Sequence, residues 1–153
     1  MFILLDIDGV LVPAKNWQTI DSKDDGFIEF SPRAVSCLNE LLNETHASIV
    51  LSTSHKNRFT TKQWVKIFQN RGVNATTIEI LKTKKVDNRL EEILDWYSKS
   101  NNSAEDFIII DDDKRLNDLP NHLKERLVLT KSFVGFNKES LDEALRLLPV
   151  VHH

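Results

Sequence analysis

The stretch ILLDIDGVLVP, residues 3–13, sets two carboxylates, Asp6 and Asp8, inside the most apolar run near the N-terminus. That conflict restricts the folds open to the chain. Ile3, Leu4, Leu5, Ile7, Val10, Leu11 and Val12 read as the continuous apolar run of a strand covered on both faces, the pattern of a parallel sheet flanked by helices. A carboxylate buried without a partner is strongly unfavourable. The two acids therefore require a bound cation, an opening at the strand's end, or both. Two further runs have the same form: ASIVLSTS, residues 47–54, stops in hydroxyls, and DFIIIDDD, residues 106–113, stops in three acids.

Amphipathic stretches separate these runs. SPRAVSCLNELLNET opens with Ser31 as N-cap and Pro32 at the first helical position, and carries Val35, Leu38, Leu41 and Leu42 on one face. TTKQWVKIFQNRG places Trp64, Ile67 and Phe68 together and stops at Gly72. VDNRLEEILDWYSK has Leu90, Ile93, Leu94 and Tyr97 at helical spacing, and NKESLDEALRLL begins at the N-cap Asn137. Residues 77–81 and RLVLT, residues 126–130, read as third and fifth strands, and residues 13–30 as a loop or short hairpin. Strands alternating with helices predict an α/β fold: a three-layer, Rossmann-like parallel sheet of about five strands with helices on both faces.

A chain of 153 residues suits one domain, so residues 1–153 are expected to form a single unit. Cys37 is the only cysteine, which excludes an intrachain disulfide and a cysteine-rich zinc site, and it reads as a core residue. With no long apolar run, no membrane span is expected, and a cytoplasmic, reducing location is the default. A net charge of −3 neither favours nor excludes a nucleic-acid partner, because phosphate binding depends on local patches.

In an open parallel sheet, ligands bind outside the carboxyl ends of the strands, where strand order reverses. Here the predicted strand ends carry Asp6 and Asp8, Ser52 to Ser54, and Asp111 to Asp113. Carboxylates crowded at one edge repel each other unless a divalent cation neutralises them. Oxygen-only donors suit Mg²⁺ better than zinc. An EF-hand loop is disfavoured, since its spacing of acids and its closing Glu are missing.

DIDGVLV resembles motif I of the haloacid dehalogenase (HAD) superfamily, IVLSTS motif II, and FIIIDDD the acidic motif IV. Over nearly the whole chain the order of segments is similar to the small, capless HAD domains of RNA-repair (Swiss Army Knife) proteins. The resemblance implies a Mg²⁺-dependent phosphatase working through an aspartyl-phosphate. Asp6 would be the nucleophile, Asp8 the general acid and base, and Ser52 a donor to the phosphoryl group. Asp6, the main-chain carbonyl of Asp8, Asp111 and Asp112 would hold Mg²⁺. The family also uses a cation beside the nucleophile, for which KTKKVDNRLEEIL offers Lys82, Lys84, Lys85 and Arg89. Lys85 is preferred, with Arg89 as the alternative that aligns with the start of the helix. His55-Lys56 stands where many relatives have Trp-Arg.

Other residues have plainer readings beside the functional ones. Lys82 to Lys85 is also a solvated charge run, Trp64 and Trp96 are packing residues, and His55 is read as a rim residue. Trp17 could close over substrate or anchor its loop. Only 22 residues lie between Asp8 and Ser31, and no large insert follows Ser54, which leaves no room for a sizeable cap domain. An open site suits a bulky phosphorylated substrate, a nucleic-acid end or a protein. A small phosphometabolite is the enzymatic alternative, and a non-catalytic HAD-like binding module the other.

Overall fold

The computed structural model describes residues 1–14, 24–82 and 88–149. Among the described residues, five strands form one all-parallel sheet: β1 (Phe2–Leu5), β2 (Ser48–Leu51), β3 (Ile78–Ile80), β4 (Phe107–Asp111) and β5 (Leu127–Leu129), in the order β3-β2-β1-β4-β5. The helices are α1 (Pro32–Thr45), α2 (Thr61–Asn70), α3 (Arg89–Lys99), α4 (Asn121–Lys124) and α5 (Lys138–Arg146). The chain is therefore an α/β, Rossmann-like fold. None of these helices is long and apolar enough to cross a membrane.

The two faces of the sheet follow the alternation of side chains along each strand. Ile3, Leu5, Ile49, Leu51, Ile108 and Ile110 join one core with α1, α2 and α5, through residues such as Leu38, Phe68 and Leu141. Leu4, Val50, Phe107 and Ile109 face the opposite core with Ile93 of α3 and Leu123 of α4. Cys37 is buried in the first of these cores. Trp64 and Trp96 pack as the sequence suggests, Trp64 fully buried and Trp96 edge-on to Phe107.

The helix starts are set by local chemistry. Ser31 caps α1, Thr60 and Gln63 form a capping box on α2, and the side chains of Asn88 and Asn137 accept amides at the starts of α3 and α5. Helix α4 has no counterpart in the sequence reading; it is one short turn after Pro120 whose Leu123 fills the α3 side of the sheet.

The first strand is shorter than its apolar run. Pairing ends at Leu5, apart from a bond from the Asp6 amide to the Ile110 carbonyl, and the chain turns. The Ile7 carbonyl then accepts the amides of Val10, Leu11 and Val12. Ile7, Val10, Leu11 and Val12 are fully buried in this turn, so the run is apolar because a loop crosses the core. Its backbone is satisfied internally, as a buried loop requires.

Residues 25–28 are pinned by Arg71, which lies at the end of α2 with its side chain almost wholly buried. Its guanidinium donates to both oxygens of Asp25, at 2.6 and 3.0 Å, and to the carbonyls of Phe27, Ile28 and Ile67. The bond from Arg71 holds the Asp25 carboxyl well below the ordinary carboxylate range. Arg71→Met should cost about 3–5 kcal/mol, because it strands Asp25 and several carbonyls. Since the folded-state pKa of Asp25 is depressed, its share of the stability is present above the unfolded pKa and lost as pH falls through the folded one. Urea unfolding should thus show the gap between wild type and variant narrowing only at strongly acidic pH.

Candidate active site

The order β3-β2-β1-β4-β5 reverses between β1 and β4, and this is where Asp6 and Asp111 meet. Leu5 of β1 pairs with Leu51 of β2 on one side and with Ile110 of β4 on the other. The next residues, Asp6, Ser52 and Asp111, are consequently neighbours at the carboxyl edge of the sheet. Asp112 follows on the rim. Asp6, Asp111 and Asp112 each offer an oxygen, and these oxygens lie within 4.8 Å of one another.

Each acid is held by specific partners. The Ile7 amide donates to Asp6 Oδ1 at 2.8 Å, the Asp113 amide donates to Asp111 Oδ1 at 3.0 Å, and the Ser132 hydroxyl donates to Asp112 Oδ2 at 2.8 Å. Thr130 Oγ1 donates to the Gly9 carbonyl and ties the end of β5 to the turn after β1. The third acid of the DDD run has a different task. Asp113 caps the 3₁₀ turn Lys114–Asp118, and its bond to Arg115 lowers its pKa.

Arg89, the first residue of α3, inserts between the two buried acids, with one guanidinium nitrogen 2.5 Å from Asp111 Oδ2 and 3.4 Å from Asp6 Oδ2. The Asn88 cap fixes where the helix begins. Three residues along α3, Glu92 pairs at 2.9 Å with the largely buried Lys56, which follows β2. That ion pair braces α3 against the loop carrying His55. Lys82 is exposed, whereas Lys84, Lys85 and Trp17 lie outside the described residues.

Burial pushes the Asp6 carboxyl well above its ordinary value, and Asp111 beside it adds to the rise against the pull of Arg89. Burial likewise raises Asp111, with Arg89 opposing. Desolvation disfavours the charge of Arg89, but Asp6 and Asp111 outweigh it and raise its pKa. Three neighbouring carboxylates with one guanidinium, paired to Asp6 and Asp111, leave an excess of negative charge, which a hard divalent cation would balance. The all-oxygen donor set fits Mg²⁺.

Asp8 stands apart from this cluster. Its carboxylate is directed at His55, with Nε2 to Oδ2 at 2.8 Å. The implied contribution of Asp8 to a metal is its main-chain carbonyl, so the side chain is not needed there. The sequence reading of His55 as a rim residue is thereby revised: it engages one of the two first-motif acids. Its place directly after the strand-end hydroxyls was the available signal. Nothing local, however, ties it to a residue 47 positions earlier.

Ser52 is fully buried, and its Oγ has no hydrogen-bond partner among the described residues. A buried hydroxyl without a partner is unfavourable; here it sits beside Asp6, where an oxyanion could accept from it. Thr53, also buried, accepts the His55 amide at Oγ1 and shapes the turn.

A family model described as the HAD domain in Swiss Army Knife RNA repair proteins matches residues 2–141. No curated protein matches the chain.

Proposed function

Since the chain belongs to the family of HAD domains found in Swiss Army Knife RNA repair proteins, we propose that it is a Mg²⁺-dependent phosphohydrolase acting through an aspartyl-phosphate on a phosphorylated nucleic-acid end. The observation that carries this reading is the convergence of Asp6, Asp111 and Asp112 on one point, with Arg89 against Asp6. The unpartnered hydroxyl of Ser52 beside them supports it. The nucleic-acid substrate is supported by the family's description and by the shortness of the sequence between Asp8 and Ser31, which leaves no room for a sizeable cap domain.

In this reading Asp6 attacks phosphorus with one carboxylate oxygen, its orientation held by the Ile7 amide and Arg89. Arg89 takes the role of the cation that shields the nucleophile from the phosphoryl charge, in place of Lys85. Ser52 Oγ donates to a phosphoryl oxygen. Asp8 gives its proton to the leaving oxygen and then takes one from the water that releases phosphate. Asp6, Asp111, Asp112 and the Asp8 carbonyl would hold Mg²⁺, which would supply neutralisation of charge between the carboxylates and the phosphoryl group. Residues 1–153 are read as a single domain, of which the family match covers 2–141.

The test is hydrolysis of a panel of 5′- and 3′-phosphorylated oligonucleotides and small phosphomonoesters, with Mg²⁺ and with excess chelator. Turnover of oligonucleotide ends that vanishes with chelator and returns with Mg²⁺ is expected. Undiminished turnover in chelator rules out this mechanism. Turnover of small phosphomonoesters alone replaces the substrate class, and no turnover of any compound favours a binding module.

Metal binding can be read without activity. A carboxyl whose folded pKa is raised loses stability as pH rises from the unfolded pKa through the folded one, so ionising Asp6 and Asp111 weakens the metal-free fold towards neutral pH. Mg²⁺ binds the ionised form and offsets that loss. At about one hundred times its dissociation constant, Mg²⁺ should raise Tm by roughly 5–10 °C near neutral pH, and by clearly less at about pH 5. Equal shifts at both pH values would contradict binding to these acids.

A further inference from the structure

We propose that His55 is the positioning residue for Asp8, holding its carboxyl by Oδ2 so that Oδ1 faces the leaving group and then the water. This rests on the role given to Asp8 above. The Asp8 side chain is about one-third exposed, and a carboxyl at such a place rotates freely unless something holds it. A bond of 2.8 Å from His55 supplies the restraint.

The hydrogen-bond network also assigns the tautomer. On its far side the ring presents Nδ1 to a guanidinium nitrogen of Arg58 at 3.4 Å. A guanidinium can only donate, so Nδ1 accepts and Nε2 carries the proton. Nε2–H then donates to Asp8 Oδ2. With Oδ2 engaged as an acceptor, the proton that Asp8 must deliver is carried on Oδ1. The same oxygen is the free base in the second step.

The imidazole is itself held in place. The buried Phe27 ring meets it edge to face at 5.4 Å, and the Arg58 guanidinium lies 5.4 Å from the centroid of the same Phe27 ring. Phe27 is anchored in turn through its carbonyl by Arg71. From below, the His55 amide donates to Thr53 Oγ1 at the exit of β2. The chain Arg58, His55, Asp8 thus has its middle member fixed by packing and its outer members by directional bonds. Such support is what a group needs to deliver a proton along one line, since small misplacements of a catalytic group sharply reduce rate.

The experiment compares phenyl phosphate, whose leaving group needs a proton, with 4-nitrophenyl phosphate, whose leaving group needs it far less. His55→Ala should lower kcat/KM for phenyl phosphate by about 10- to 100-fold and slow phosphorylation by 4-nitrophenyl phosphate much less. His55→Gln, whose amide can donate to Oδ2, should recover part of the loss. In an Asp8→Asn background His55→Ala should have no further effect, because it acts through Asp8. An equal loss in both backgrounds, or on both substrates, overturns the proposal. An active protein in which Asp8→Asn changes nothing overturns instead the role of Asp8 on which it rests. Independently of turnover, ¹⁵N NMR should find His55 protonated at Nε2 and bare at Nδ1, with the Nε2 signal moving in Asp8→Ala. The opposite tautomer, or no response to Asp8→Ala, overturns the proposal whether or not the protein is an active phosphatase.

Discussion

Asp6→Asn should form no phosphoenzyme at all, whereas Asp8→Asn should form one from an activated substrate and accumulate it. The amide of Asn has no anionic oxygen to attack phosphorus and is a poorer metal ligand, so the first substitution removes the chemistry at its origin. It also changes the charge met by Arg89, which lies 3.4 Å from Asp6 Oδ2. Asp8→Asn leaves Asp6, Asp111, Asp112 and Arg89 untouched, because the Asp8 carboxylate is not one of the three that converge and its Oδ2 is bonded to His55. What it removes is the proton donor and the base of the second step, worth about 10²- to 10⁴-fold. With 4-nitrophenyl phosphate the first step needs little acid catalysis and proceeds, while release of phosphate by water stalls. Rapid quench and detection of the acid-stable phosphoenzyme fraction reads this directly. Phosphoenzyme in Asp6→Asn and none in Asp8→Asn would reverse the two roles; full turnover in both would move the site elsewhere.

Gly9→Ala should break the acidic cluster from the other side. Gly9 has φ +78°, a conformation that costs a residue with a Cβ about 1–2 kcal/mol. The larger effect is steric. A Cβ there would stand 2.0 Å from Asp112 Oδ2 and 2.9 Å from Asp112 Cβ. Rotating the carboxylate aside does not relieve the second contact, so the backbone after β4 or the turn after β1 must shift. Either movement separates Asp112 from Ser132 or from Asp6 and Asp111. A loss of about 2–4 kcal/mol in unfolding free energy is expected, together with loss of the stabilisation by Mg²⁺. Gly26→Ala is the matched control: φ is +82°, but nothing lies within 4 Å of the added atom. It should show the backbone cost alone and keep the full response to Mg²⁺. A Gly9→Ala protein stabilised by Mg²⁺ as strongly as wild type would exclude Asp112 from the metal site.

The strand ends were legible because the information is local. IVL and FIII are β-branched or aliphatic runs that stop in polar groups, and such a stop marks the rim of a buried strand whatever its neighbours are. The caps Ser31 and Asn137 were legible for the same reason: a cap bonds amides two or three residues away. The family resemblance rested on the same runs, and the match over residues 2–141 agrees with it.

What failed locally was any reading in which a residue type has two stable uses. Val10, Leu11 and Val12 look like strand, yet they line a buried turn, because apolar composition reports burial and not backbone conformation. Asp113 continues the acidic run in sequence but leaves the site to cap a 3₁₀ turn. Nothing in the residues around Lys56 marks it for burial, yet it is buried against Glu92, 36 residues away.

By itself, then, the sequence determined which side chains stand at the ends of buried strands, and hence that acids and hydroxyls must share an edge of the sheet. Only the tertiary structure decided which of them touch. The order β3-β2-β1-β4-β5 makes Asp6 a neighbour of Asp111, the start of α3 sends Arg89 between them, and the turn after β2 brings His55 to Asp8. Those contacts depend on strand register and loop path across dozens of residues. Periodicity along a single element carries no record of them.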